Sequence, residues 1–553
     1  MNSNEFYKKL NEKISTLDKE QLESFINNII RKIPESKYIE VLDILGEKAE
    51  ISEENYINKI NTYKEKFKQI DGAELTFYLS SYESDGYDYW NSNCIVEYYD
   101  SDNVGDIVDE AIDLVSELTN KKLYKLAKEL MNPIIFTNYQ AYEEDSGDFY
   151  ELDLSDLKSE KLITSDITEF LEYAIYVTYQ TSDEGERAIN IHNYFKISDF
   201  KEIKVEDSFK LGLEALKNMD AFWDSWINLL ISVPGETEYR LLKEALEYNS
   251  FNNYDKYVKG FAKSHPRIYL DLFDFLNANN RQKEIIDVGN IAISEVDDKY
   301  IIKSDIALYL ANLDSQNKEK YFIMAFISNS NVPNLLRIIN NGYFKKYEDV
   351  IKNALVVDKE YSTKFRFIKN EELTENGIYR TLYIILNFFI GNFEPFFDEC
   401  YSVKNPLGWS GSFIQEAVNL LLLYFNKNTD SKVYNSIIHS TFFELGFGKY
   451  PELSNDDYTK IFLKWKENFK IPNTDENIKW LKTTIENRAN EIVGNNHRGS
   501  YFKAAILVVA LGEVLESNNI QSKEEFVNSY HTRYVRHRAF RSELDKYTKK
   551  ITN

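Results

Sequence analysis

Between about residues 205 and 356 the chain repeats a pair of amphipathic helices roughly every 30 residues, and this repetition restricts the fold more than any other feature. "VEDSFKLGLEALKNM" pairs with "DAFWDSWINLLIS", "GETEYRLLKEALEY" with "NNYDKYVKGFAKS", and "RIYLDLFDFLNAN" with "RQKEIIDVGNIAIS". "DKYIIKSDIALYLANL" with "NKEKYFIMAFIS" and "VPNLLRIINNG" with "YEDVIKNALVV" continue the series. Pro234, Pro266 and Pro333 sit at turns between pairs, where a helix must stop or start. A single hairpin of this length cannot bury its apolar stripe alone, so neighbours must stack. The expected fold is all-α: an α-solenoid of degenerate helical hairpins, tetratricopeptide-like in shape, with an irregular acidic insertion.

The composition agrees. Nine prolines and 20 glycines in 553 residues are few for a sandwich or a Rossmann-like enzyme, while stacked helices need little punctuation. Four regions are expected: N-terminal helices over 1–72, a helical region with acidic aromatic loops over 73–204, the hairpin array over 205–356, and a C-terminal helical region over 357–553. In the first, Asp18, Pro34 and Ser52 each open a helix. In the second, "SYESDGYDYWNSNCIVEYYDSDN" mixes aromatics with acids without clear periodicity and reads as an ordered but irregular connection, a short hairpin being the alternative. A second acidic loop, "YEEDSGDFYELD", precedes a helix capped by Asp166 with Glu169 in the capping-box position. A charged break, "DKEYSTKFRFIKNEELTENG", opens the last region, where Phe388, Phe389, Phe393, Phe396 and Phe397 form a candidate core cluster.

The formal net charge of −24 makes the average surface repel nucleic acid and anionic lipid, leaving room only for a local basic site. Cys94 and Cys400 are isolated, against both a disulfide framework and a thiolate zinc site. The N-terminus has no apolar core of a signal peptide, and the greasiest runs, "LYIILNFFIG" and "AAILVVALGEVL", are shorter than the roughly 20 residues of a membrane span. No membrane contact and a cytoplasmic location are the expectation.

Motifs of chemistry are sparse. In "DSDNVGDIVDEA", Asp100, Asp102 and Gly105 match calcium-loop positions, but Ala111 stands where the bidentate glutamate belongs, so Asp102 reads as a helix cap. "GWSGS" lacks the final glycine of a nucleophile elbow, and Ser412 reads as a cap for "SFIQEAVNLLLLYF". Walker A, GxGxxG and HExxH patterns are absent. No catalytic residue, cofactor or metal is assigned.

The candidate anion- or partner-binding residues lie near the C-terminus. His497, Arg498 and Ser500 precede "SYFKAAILVVALGEVLE", a helix apolar on nearly every side whose N-terminus would offer free N–H groups. Then "HTRYVRHRAFR" places Arg533, Arg536, His537, Arg538 and Arg541 together without an acid. As one helix, Arg533, His537, Phe540, Leu544 and Tyr547 would share a stripe, while Arg536, Arg538 and Arg541 fan out. A fan of planar forks suits separate pairings with acids of earlier helices better than a phosphate track.

"HRGSYFKAAILVVALGEVLE" and "RYVRHRAFRSELDK" together resemble the C-terminal helical region of bacterial proteins carrying a SWIM-type zinc finger, through Tyr501, Lys503, Ala504, Ala505, Tyr534, Ala539, Phe540, Glu543 and Leu544 besides the residues above. "VGDIVDEAIDLVSELTNKKLYKLAKELM" is similar to a helical hairpin of the same relatives. The CxC and CxH elements of the finger are absent, so zinc does not carry over. The resemblance implies a helical repeat body and the company of DNA-remodelling or repair ATPases. The function expected is a non-catalytic scaffold or adaptor for a protein partner, a basic surface being favoured. The alternatives are a hydrolase or nuclease with a phosphate site around His497 and the arginines, and direct nucleic-acid binding through them, which the net charge disfavours.

Overall fold

The computed structural model describes residues 25, 32, 53–83, 94–355 and 380–548, apart from 403, 410 and 411. The helix expected from Ser52 forms as Glu53–Asp71, whereas those expected from Asp18 and Pro34, and the charged break after residue 357, lie outside the described residues. Helices dominate, and the chain divides into two compact units, Met1–Leu229 and Leu230–Asn553.

The first unit corrects the expected irregular insertion. Both acidic aromatic segments are strands: β1 (Phe77–Glu83), β2 (Cys94–Tyr99), β3 (Tyr139–Glu143) and β4 (Phe149–Leu152). They form one sheet in the order β2-β1-β3-β4, antiparallel within each hairpin and parallel between β1 and β3. Helices Val104–Asn120 and Tyr124–Phe136 make the crossover that a parallel pair requires. Phe77, Leu79, Tyr139 and Ala141 point to one face and are buried, with helix Glu53–Asp71 packed along β3.

Local capping explains how the crossover starts. Asp100, not the expected Asp102, holds the first turn of Val104–Asn120, accepting from Val104 N at 2.8 Å and Gly105 N at 2.7 Å. Asp102 instead accepts from Thr76 N at 3.1 Å, tying the helix entry to the sheet. Asp166 caps its helix as expected, accepting from Glu169 N at 3.1 Å.

The hairpin series holds in part. "KLGLEALKNM" was expected to continue a helix, but that helix ends at Phe209. Tyr176 and Tyr179, on helix Ile167–Thr181, capture the backbone that would have continued it. Tyr176 Oη accepts from Glu214 N at 3.0 Å, and Tyr179 Oη donates to Lys217 O at 2.7 Å. "NNYDKYVKGFAKS" is likewise short turns plus Phe261–Ser264, because Phe251 turns inward onto Phe275 with ring centroids 4.8 Å apart. From Ile268 to Ala354 the expected helices form; the first five pack consecutively, while the sixth, Phe344–Ala354, packs mainly on Lys318–Ser328 rather than on Val332–Asn340, its expected hairpin partner.

In the remainder of the second unit, Trp465 is fully buried among Phe388, Phe389, Tyr424, Phe462 and Phe469. The expected phenylalanine cluster is therefore core at Phe388, Phe389 and Phe396. Ser412 precedes helix Phe413–Phe425, but its hydroxyl donates back to Trp409 O at 2.6 Å and caps nothing. Helix Tyr501–Ser517 is buried on nearly every side, as its composition predicts, and five other helices pack against it. No helix among the described residues is long and apolar enough to cross a membrane.

Candidate functional site

The arginine-rich stretch is not one helix. Helix Lys523–Arg533 ends at Tyr534 (φ −109°, ψ 37°), and helix Arg538–Thr548 begins four residues later. The expected stripe from Arg533 through His537 to Tyr547 is thus broken after its first member. Tyr534 causes the break: it is 7% exposed, packs on Tyr530 and Phe540, and donates its hydroxyl to Asn490. Burying this ring on the third helix Thr474–Gly494 matters more than continuing the helix past Arg533.

The expected acid partners of the arginines are not found among the described residues either. His531 pairs with Asp545 at 3.3 Å, within the terminal helices themselves. Arg533 lies over the Tyr530 ring at 5.2 Å and reaches Asn490, a neutral amide, at 3.4 Å. Arg536 and Arg538 are exposed and make no side-chain hydrogen bond or ion pair among the described residues. His537 Nδ1 and Arg541 Nε are buried atoms without a partner.

His497 and Arg498 stand exposed on the turn before helix Tyr501–Ser517, and Ser500 is half-buried. That turn is held by its backbone: His497 N donates to Ile492 O and Ser500 N to His497 O, both at 2.9 Å. Tyr501 meets His537 and Phe540, at 6.5 and 5.8 Å between ring centroids. Residues 497–500 and 536–541 therefore gather at one end of the central helix. At the other end Ser431 donates to Glu513 and the adjoining Lys432 donates to Lys546 O. Helices Tyr501–Ser517 and Arg538–Thr548 thus run parallel, and both positive dipole ends face the same way. Among the described residues no hydrogen bond, ion pair or ring contact joins His497 or Arg498 to the arginines.

A second surface escaped sequence reasoning. On the sheet face opposite the buried one, Tyr99, Tyr78, Tyr142 and Phe149 occupy successive registered positions across all four strands. Their centroids are spaced 5.5, 6.4 and 5.0 Å, a continuous row of rings. Tyr99 is 39% and Phe149 49% exposed. Acids flank the row: Asp102 lies 3.4 Å from Tyr78 Oη, and Glu144 and Glu151 are exposed beside β3 and on β4. The Asp102 charge, then burial, and the Glu144 charge hold the Tyr78 hydroxyl above its ordinary range. Residues 74–103 and 137–152 contain no lysine, arginine or histidine, so the strands supply no counter-charge of their own. The available signal was the residue pairing across strands, which a single sequence does not display.

Several other ionisable groups are engaged within the fold. A cavity of about 300 Å³ beside β3 and β4 is lined by Glu151, Asp153, Asp156, Ser198 and Asp199. Asp153 and Asp199 are spent there as caps on helix Leu154–Ser159, accepting from Asp156 N at 2.8 Å and Ser155 N at 2.9 Å. Glu513, 2% exposed, is satisfied by Lys523, Asn426 and Ser431. Among the described residues no group of three or more His, Cys, Asp or Glu side chains is placed to hold a metal. No family model, curated protein or solved structure matches this chain.

Proposed function

We propose that this chain is a non-catalytic helical scaffold that docks a basic segment of a protein partner, with stacked hairpins in the manner of an α-solenoid as its body. The observation behind this reading is the four-ring aromatic row in its acidic frame. Aromatic faces attract ammonium and guanidinium groups, and each such contact is worth about 0.5–1 kcal/mol at an exposed site. Carboxylates around the rings add attraction for the same cations and repel nucleic acid. A net charge of −24 steers basic partners toward the molecule as a whole.

The test is fluorescence anisotropy of a labelled arginine- and lysine-rich peptide against an acidic peptide of equal length. Binding should be confined to the basic peptide and weaken as salt rises. Tyr78→Ser combined with Tyr142→Ser should lower affinity roughly 5- to 30-fold. Equal binding of the acidic peptide, or affinity unchanged in the double variant, overturns the reading.

One observation favours a second reading, anion binding at the C-terminal corner: among the described residues Arg536, Arg538 and Arg541 have no acid partner, in a chain with 90 acidic residues. It predicts salt-dependent retention of DNA or RNA that disappears when these three become alanine. Retention by the triple variant would dismiss it.

A further inference from the structure

Among the described strands β2 is the outer one and pairs with β1 alone, so alternate N–H and C=O groups along its other side point away from these four strands. Among the described residues nothing pairs with that side. Native proteins usually blunt such an edge with lysine, proline or a bulge. "CIVEYY" contains no lysine, proline or glycine, and Glu97 is its sole charged residue. Its register with β1 is unbroken over six pairs, from Tyr78↔Tyr99 to Glu83↔Cys94. A long, regular edge made of residues that favour strands is a template for one more strand.

The two faces of β2 differ in chemistry, and this fixes what the added strand would carry. Tyr99 and Glu97 share the face of the aromatic row, since they register with Tyr78 and Ser80. Val96 and Tyr98 share the opposite face, and Val96 is 43% exposed there. A strand laid beside β2, at about 4.8 Å, would send alternate side chains to each face. Those on the first face would meet the Tyr99 ring and extend the row within its acidic frame. Those on the second would cover Val96.

We propose that β2 takes up an extended segment of a partner protein as a fifth strand, the segment alternating basic and apolar residues. This rests on the basic-partner reading above, to which it adds conformation and sequence pattern.

The probe is a labelled peptide of about eight residues with arginine and valine alternating, compared with a peptide of the same composition in two blocks. The alternating peptide should bind at least roughly tenfold more tightly. Methylating alternate backbone amides on one edge should abolish its binding, while methylating those on the other edge should leave it intact. Val96→Lys, which charges the edge without touching the aromatic row, should weaken binding roughly tenfold with an unchanged circular dichroism spectrum. Block and alternating peptides of equal affinity, both lost in the Tyr78→Ser/Tyr142→Ser variant, would overturn strand addition and leave the basic-partner reading standing. Failure of every basic peptide would sink both. Concentration-dependent self-association that Val96→Lys removes would overturn the proposal in favour of a second copy of the chain.

Discussion

Replacing Glu416 by glutamine should flatten the alkaline decline in stability of the second unit. Glu416 is 3% exposed on helix Phe413–Phe425, in which every residue but Gln415 is buried. Among the described residues its Oε2 has no hydrogen-bond partner and no cation compensates its charge. Burial first, and the Glu444 carboxylate second, push its pKa from the ordinary 4.5 up to about 8. At neutral pH the folded protein therefore holds a proton on Glu416 that the unfolded chain has released. Between pH 4.5 and about 8 the folded state binds more protons than the unfolded one, so stability falls as pH rises, and it levels off above about 8. One pKa unit corresponds to about 1.4 kcal/mol, so the loss from pH 5 to pH 8 is of the order of 4 kcal/mol. Glu416→Gln cannot ionise, and its buried amide costs about 1–3 kcal/mol for unmade hydrogen bonds at every pH. The variant should be the less stable protein near pH 5 and the more stable one above pH 8. Urea denaturation followed by circular dichroism at half-unit steps from pH 5 to 9 gives both curves. Parallel curves would show that Glu416 is ionised in the fold and that its surroundings are wetter than the burial implies.

Two further outcomes follow from close packing and from charge. A Cβ at Gly105 would lie 2.0 Å from the Leu162 carbonyl oxygen, so Gly105→Ala should lower stability by about 2–3 kcal/mol in thermal unfolding; a loss below about 0.5 would refute the close approach. Lys466 lies over the Tyr424 ring at 5.0 Å, and burial, with Lys470 and Lys427 adding their charges, draws its pKa down to about 8. Its acylation by acetic anhydride, read by peptide mass spectrometry, should reach half its limiting rate near pH 8, well below the midpoint of exposed lysines. Labelling of Lys466 and Lys470 with the same pH profile would refute this.

What the sequence could and could not disclose divides along physical lines. Helices from Ile268 to Asn340 were legible because each packs on its neighbour in sequence, so the 3.6-residue period survives in the residue order. The region after Phe209 misled for the opposite reason. "LEALKNM" has the composition of a helix, but hydroxyls of Tyr176 and Tyr179, over 30 residues away, bind its backbone at Glu214 and Lys217. Intrinsic preference, worth tenths of a kcal/mol per residue, does not outweigh such partners. The sheet was hidden by its tyrosines. Strand alternation is visible when one face is apolar and the other polar, yet β1 and β3 place Phe77 and Tyr139 inward while Tyr78 and Tyr142 face outward. A polar face built of aromatic rings erases the contrast that marks a strand, and that same feature makes the face a candidate for docking. The expected acid partners of the C-terminal arginines are not found among the described residues, because the turn at Tyr534 redirects the chain. Once the helix breaks there, residues 536–541 open a new helix beside the start of Tyr501–Ser517 instead of lying along the acids of earlier helices. Among the described residues Arg536, Arg538 and Arg541 therefore pair with no carboxylate, while the fold takes up Arg533 through Asn490 and the Tyr530 ring.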